Sequence, residues 1–186
     1  MKPYNQRFEF FRLASSYYIT ARFALFNDIL LVSANLFHHS IEMFLKGLLS
    51  PNLSLDALKK MNHNLSGLWT NLKSNHPSEN LNTFDSIIIE LDKFEGLRYP
   101  DKVLQAEIII MDKLADERGI LLSGTNDGDL RYRLYLDEID RLIKRLFVLG
   151  NLSPSNLFDT EFVDIQKYLL KENNESKFFV RPNEPT

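Results

Sequence analysis

A group of polar side chains interrupts a strongly apolar segment of the sequence. The segment NLFHHSIEMFLKGLL contains His38, His39, Glu42 and Lys46. Imidazoles and carboxylates are the side chains that most often transfer protons or bind metals near neutral pH. On a helix, Glu42 is three or four residues from each of the other three, so the four side chains share one face. The pattern indicates either a charge-laced helix face or a functional or interface surface.

Metal binding by the adjacent histidines is not expected. With about 3.6 residues per turn, neighbouring side chains on a helix point about 100° apart. Zinc hydrolases of the H-E-x-x-H type instead place two histidines four residues apart on one face. The sequence also has no cysteine, which removes thiolate ligands and cysteine nucleophiles. We therefore assign no catalytic residue, no metal ligand and no cofactor.

Two further motifs contain candidate binding residues. His63 lies in MNHNL, where the asparagines favour a helix start and the histidine is more simply a loop residue bonded to backbone. Arg98 and Tyr99 lie in GLRYP, at an expected helix end. An arginine there is favoured by the helix dipole, and it can also bind an anion through two parallel hydrogen bonds. Together with the first four residues, these are the candidate ligand or interface residues.

Composition limits the classes of protein to consider. The chain has 186 residues, enough for one ordinary domain, assigned to residues 1–172 with a polar, frayed tail over 173–186. A formal net charge of -3 gives no overall attraction for nucleic acid. Charged residues break the N-terminal segment, and no apolar run approaches the about 20 residues that span a bilayer. We expect a cytoplasmic protein without a membrane segment.

Apolar residues recur at helical spacing along most of the chain. In a first helix over 8–26, Arg22 falls outside an apolar seam formed by Phe10, Ala14, Tyr17, Ala21 and Ala24. Further helices are predicted over 28–49, from 64, from 78 to before Gly96, and over 132–149 and 154–171. The isoleucines and turn residues of 101–130 fit an irregular excursion or a β-hairpin. The predicted fold is all-α: an up-and-down four- to five-helix bundle with an irregular or β-hairpin insertion around 101–130.

The order of these motifs resembles the HEPN domain family, named for higher eukaryotes and prokaryotes nucleotide-binding. In that family a second helix ends in I-E-x-x-L-K-x-L-L, which corresponds here to residues 41–49. A His-Asn-Leu helix start corresponds to residues 63–65, and an Arg-Tyr-Pro to residues 98–100. The resemblance covers roughly residues 10 to 100, and the helix over 132–149 is the expected fourth member of the bundle.

The resemblance implies a helical bundle that is often dimeric and is a ribonuclease, a toxin or the partner of a small nucleotidyltransferase. Nucleolytic members carry an arginine followed four to six residues later by a histidine, and this chain has no such pair. We therefore expect a non-catalytic HEPN-like module, a homodimer or partner-binding protein in a toxin–antitoxin or defence context. Its expected ligand is a nucleotide or other anion, or RNA, near Lys46, His63 and Arg98.

Two alternatives stay open at this point. One is a divergent HEPN ribonuclease, an RNA-cleaving toxin that uses His38, His39 or His63 in place of the missing histidine. The other is a structural subunit whose apolar surface over 132–149 serves only assembly.

Overall fold

The structure is a computed structural model that describes residues 5–106, 108–113, 131–158 and 163–179. In chain order its elements are α1 Gln6–Leu25, α2 Leu30–Leu49, α3 Leu55–Lys60, α4 Leu65–Asn75, a short 3-10 turn Asn82–Phe84, α5 Asp85–Gly96, α6 Pro100–Gln105, β1 Ile108–Asp112, β2 Arg131–Tyr135, α7 Leu136–Gly150, α8 Pro154–Phe158, α9 Val163–Leu170 and α10 Ser176–Phe179. The all-α bundle with a small insertion is confirmed. In the described ranges no helix is both long enough and apolar enough to cross a membrane.

Helix α2 lies at the centre of the bundle and contacts α1, α4, α5 and α7. Its apolar positions Phe37, Ile41 and Phe44 are fully buried, as their helical spacing predicts. Helix α1 packs closely against it, since a Cβ on Gly47 would stand 2.5 Å from the Phe11 ring. The absence of a side chain at this position therefore allows the two longest helices to pack against each other.

The predicted seam of α1 is buried at Ala14, Ala21 and Ala24 but differs at its two aromatic positions. Phe11 and Tyr18 are buried, whereas Phe10 and Tyr17 are only half-buried. Arg22, predicted to lie outside the seam, is 0% exposed. The prediction was wrong here because a charge was taken as a mark of the surface, although a buried charge is stable when it is fully paired.

Arg22 is paired through a buried hydrogen-bond network that links α1 to α7 and to the end of α9. One terminal nitrogen of its guanidinium lies 2.5 Å from both carboxylate oxygens of Asp140. Its Nε donates to the carbonyl of Tyr168 at 2.5 Å, and the other terminal nitrogen donates to the carbonyl of Lys171. The hydroxyl of Tyr18 donates to Asp140 at 2.6 Å. The network therefore fixes the C-terminal segment against the bundle.

The insertion contains a parallel strand pair. Strand β1 pairs with β2 in the register Ile108 to Arg131 through Asp112 to Tyr135. The β-hairpin alternative placed its second run and turn at residues 119–129, which lie outside the described ranges; the partner that the structure gives β1 is the parallel strand β2. The helix predicted from Tyr132 instead begins at Leu136, and residues 114–130 lie outside the described ranges.

Helix α7 turns its apolar stripe into the core. Ile139, Leu142 and Leu146 are at most 1% exposed. Because this stripe is covered within one chain and Val148 is the large apolar side chain of α7 that stays exposed, the alternative of a purely structural subunit that assembles through residues 132–149 is weakened.

The C-terminal segment packs on the core. The predicted last helix over 154–171 is observed as α8 and α9, and residues 159–162 lie outside the described ranges. Beyond it, Asn173 and Phe179 are buried, and the Phe179 ring lies 5.7 Å from Phe147 and 5.6 Å from Phe158. The frayed tail expected from 173 onward is therefore not found over 173–179.

The connection between α2 and α4 returns the chain to the polar side of α2. Asn64 caps α4, as predicted, because its side-chain oxygen accepts from the Gly67 amide at 2.7 Å. Asp92 on α5 accepts from the amides of Leu65 and Ser66 at 3.1 and 3.2 Å. These bonds fix the first turn of α4, and hence His63 immediately before it.

Candidate functional site

A buried glutamate organises the polar face of α2. The Glu42 side chain is 1% exposed, and its Oε1 accepts from Lys46 Nζ at 2.5 Å. Its Oε2 lies 3.3 Å from Nδ1 of His39 and 3.0 Å from Nδ1 of His63. Lys46 also donates to the carbonyl of Asn62 at 3.0 Å. We call His38, His39, Glu42, Lys46 and His63 together the Glu42 cluster.

The charge of Glu42 is stabilised by its neighbours. Burial alone would raise the pKa of this carboxyl, but hydrogen bonds from His39, Lys46 and His63 lower it to about 2. Glu42 is therefore ionised throughout the physiological range, and Lys46 supplies the compensating charge.

His38 is the most deeply buried histidine of the Glu42 cluster, with 0% exposure. Its Nδ1 lies 3.0 Å from the carbonyl of Leu91 on α5. Burial lowers the pKa of His38, so the ring is neutral at pH 7. A carbonyl can only accept, so Nδ1 carries the proton and Nε2 carries a lone pair. Among the described residues, Nε2 has no hydrogen-bond partner.

The structure brings five of the seven predicted residues together in this cluster. The alternative of a charge-laced face in water is wrong for His38, Glu42 and Lys46, because α5 and the turn carrying His63 cover that side of α2. His39 and His63 remain 29% and 48% exposed, so the cluster is open to solvent on one side.

Four members of the cluster have donor atoms of the kind that bind metals. One ring nitrogen or carboxylate oxygen from each of His38, His39, Glu42 and His63 lies within 4.8 Å of the others. The prediction of no metal site considered only the spacing along α2. That spacing cannot reveal His63, which comes from the next turn of the chain.

An apolar groove begins beside the cluster, between α2 and the segment of residues 97–104. Its volume is about 720 Å³, and its walls are mostly the side chains of Leu31, Val32, Leu36, Leu97, Val103 and Leu104. Three polar side chains also line it, those of Asn35, His39 and Arg98. His39 therefore belongs both to the Glu42 cluster and to the groove.

Arg98 and Tyr99, the other two predicted residues, lie at this groove and not in the cluster. The Arg98 guanidinium lies 2.7 Å from a carboxylate oxygen of Glu95 and 4.8 Å from the centroid of the Tyr99 ring. Tyr99 is 50% exposed and stacks on Arg98 without lining the groove. Sequence spacing gave no sign that Arg98 and His39 would face one cavity.

Comparison of the chain with family models, with curated proteins and with solved structures finds no match. The function is therefore inferred from the geometry of the Glu42 cluster and the groove.

Proposed function

We propose that the protein is a non-catalytic helical binding module, HEPN-like, which holds a nucleotide or a similar anion-bearing aromatic ligand in the groove between α2 and α6. The groove itself carries this proposal. A volume of about 720 Å³ is within the range of small-molecule sites, which are mostly apolar with a few placed polar groups. Val32 and Leu104 offer an apolar surface for a base, and Arg98 offers a charge for a phosphate.

Arg98 supports the anionic half of the proposal. A guanidinium has five N–H donors, and the contact with Glu95 leaves others for a ligand. Its side chain is 39% exposed, so it can reach a ligand in the groove. Lys46, expected to bind the anion, is instead neutralised by Glu42 and bonded to the Asn62 carbonyl.

The test is titration of the protein with AMP, ADP, ATP and inorganic phosphate by calorimetry, using two arginine variants. Arg98→Gln should weaken nucleotide binding by about 10- to 100-fold, the effect of losing a charged hydrogen bond of about 1.5–3 kcal/mol. Arg12→Gln is the matched control, because Arg12 pairs with Glu9 at the same i,i+3 spacing on α1. Absence of nucleotide binding at millimolar concentration, or equal weakening by both variants, would refute the proposal.

Self-association and a partner form the second half of the proposal. Exposed apolar side chains at the start of α2, outside the groove, support an interface there: Ile29 is 46% exposed and Leu30 37%. We propose a homodimer whose partner is a small nucleotidyltransferase, in a toxin–antitoxin or defence setting. The order of the HEPN-like motifs is the ground for this proposal. Sedimentation of the wild type and of Ile29→Glu tests the dimer. A monomer at all concentrations would remove it.

A divergent ribonuclease is the second candidate, and one observation favours it. His39 and His63 both lie at the Glu42 carboxylate and are partly exposed, as an acid–base pair must be to reach RNA. RNA cleavage by the wild type, lost in His39→Ala and in His63→Ala, would support this candidate. An inactive wild type would exclude it.

A further inference from the structure

We propose that His38, His39, Glu42 and His63 form a binding site for one first-row divalent metal ion, and that Zn²⁺ fits these donors best. Imidazole nitrogen and carboxylate oxygen are the ligands that zinc takes in four-coordinate sites without cysteine. The proposal goes beyond the binding of a nucleotide, because nothing in the groove requires an ion.

The donor atoms already approach the spacing of such a site. With zinc–ligand bonds of about 2.0–2.1 Å, the ligands of a tetrahedral ion lie about 3.3 Å from each other. The separations of Glu42 Oε2 from the Nδ1 atoms of His39 and His63 are 3.3 and 3.0 Å. All four donors lie within 4.8 Å of one another, so the widest pair would close by about 1.5 Å to reach the spacing of a tetrahedral set.

His38 is the observation that points to a ligand rather than to a chance cluster. The ring is fully buried, and the contact of Nδ1 with the Leu91 carbonyl fixes its orientation. Histidines that bind metals commonly donate their second ring nitrogen to a backbone carbonyl in this way. Among the described residues, Nε2 has no partner. Buried polar atoms are rarely left unpaired, and an ion would satisfy this one.

Lys46 defines how the carboxylate would bind. Its ammonium occupies Oε1 of Glu42 and the carbonyl of Asn62, which leaves Oε2 for the ion. An ion held by Oε2 would replace the protons that His39 and His63 now direct toward it. The partial exposure of His39 and His63, 29% and 48%, provides access from solvent.

The test uses the full chain without a polyhistidine tag, stripped with EDTA and titrated with Zn²⁺ alone by calorimetry. Co²⁺ serves as a spectroscopic probe, because four-coordinate cobalt absorbs visible light strongly. The proposal expects one ion per chain and a rise in the melting temperature on adding zinc. His63→Ala should weaken binding by 100-fold or more, and its fold should survive because His63 is half-exposed. His76→Ala is the control, since His76 lies at the other end of α4.

Each outcome decides the proposal. One equivalent of Zn²⁺, lost in His63→Ala and kept in His76→Ala, supports it. Less than a tenth of an equivalent in the wild type, or equal binding by the two variants, overturns it. If circular dichroism shows that His63→Ala is unfolded, His39→Gln replaces it with the same expectation. Failure of nucleotide binding would leave these results unaffected, so the two proposals fail separately.

Discussion

Replacement of Glu42 by glutamine tests whether the charge of this side chain stabilises the fold. The variant keeps the shape but removes the charge that Lys46, His39 and His63 contact. A pKa lowered from 4.5 to about 2 corresponds to about 3 kcal/mol, at about 1.4 kcal/mol per pH unit. Because the folded pKa lies below the unfolded one, this stability is present above about pH 4.5 and is lost as the pH falls toward 2.

The expected free energies of unfolding follow from this window. Glu42→Gln should be less stable than the wild type by about 2–3 kcal/mol at pH 7, but by only about 1 kcal/mol at pH 3. Denaturation by urea in EDTA, followed by the fluorescence of the single tryptophan, Trp69, measures both values. EDTA removes any stabilisation by a bound ion.

Glu172→Gln is the control for this experiment. Glu172 pairs with Lys113 at 3.0 Å, but both side chains are nearly half-exposed. Such a pair contributes at most about 0.5 kcal/mol after screening by solvent. A loss below about 0.5 kcal/mol in Glu42→Gln at pH 7, or a loss of equal size at pH 3, would refute the reasoning.

Two further substitutions test the packing of α1. Arg22→Met leaves the Asp140 charge buried and unpaired, so we expect the free energy of unfolding to fall by about 3–5 kcal/mol. Adding Asp140→Leu should restore a large part of this loss, as measured by urea denaturation. Gly47→Ala puts a Cβ 2.5 Å from the Phe11 ring and should lower the free energy of unfolding by about 1–3 kcal/mol. Gly96→Ala is the control, because a Cβ there meets nothing within 4 Å and should be neutral or stabilising by up to about 1 kcal/mol. Equal melting temperatures for the two glycine variants would contradict the close approach of α1 and α2.

The sequence predicts the helices well where apolar periodicity is long and the caps are local. The apolar stripe of helix α2 is buried from Ala34 to Leu48, and Asn64 caps α4 through a bond only three residues long. Strand β2 was missed because Tyr132 and Leu134 are followed directly by the helical pattern of α7. Its parallel partner is more than twenty residues away, so no local spacing signals the pairing.

In the candidate site too, the contacts within one helix could be predicted from the sequence, and the contacts between distant segments could not. The contacts of Glu42 with His39 and Lys46 follow from i,i+3 and i,i+4 spacing on one helix. The contacts with His63 and the Leu91 carbonyl depend on how the chain returns after α2. Spacing alone therefore predicted a polar face but placed it in water, because the segments that bury it are distant in sequence.

The residues that the structure describes contain two buried charge networks, and only one of these two can have a function beyond stability. In the Arg22 network both the guanidinium and the Asp140 carboxylate are 0% exposed, and each contact described above is with a group of the chain itself. That network is complete and closed. The Glu42 cluster is incomplete, since His38 Nε2 has no partner among the described residues, and it is open, since His63 is 48% exposed. A site that binds something from solution needs both properties, so the Glu42 cluster and the groove beside it are where a ligand should be sought.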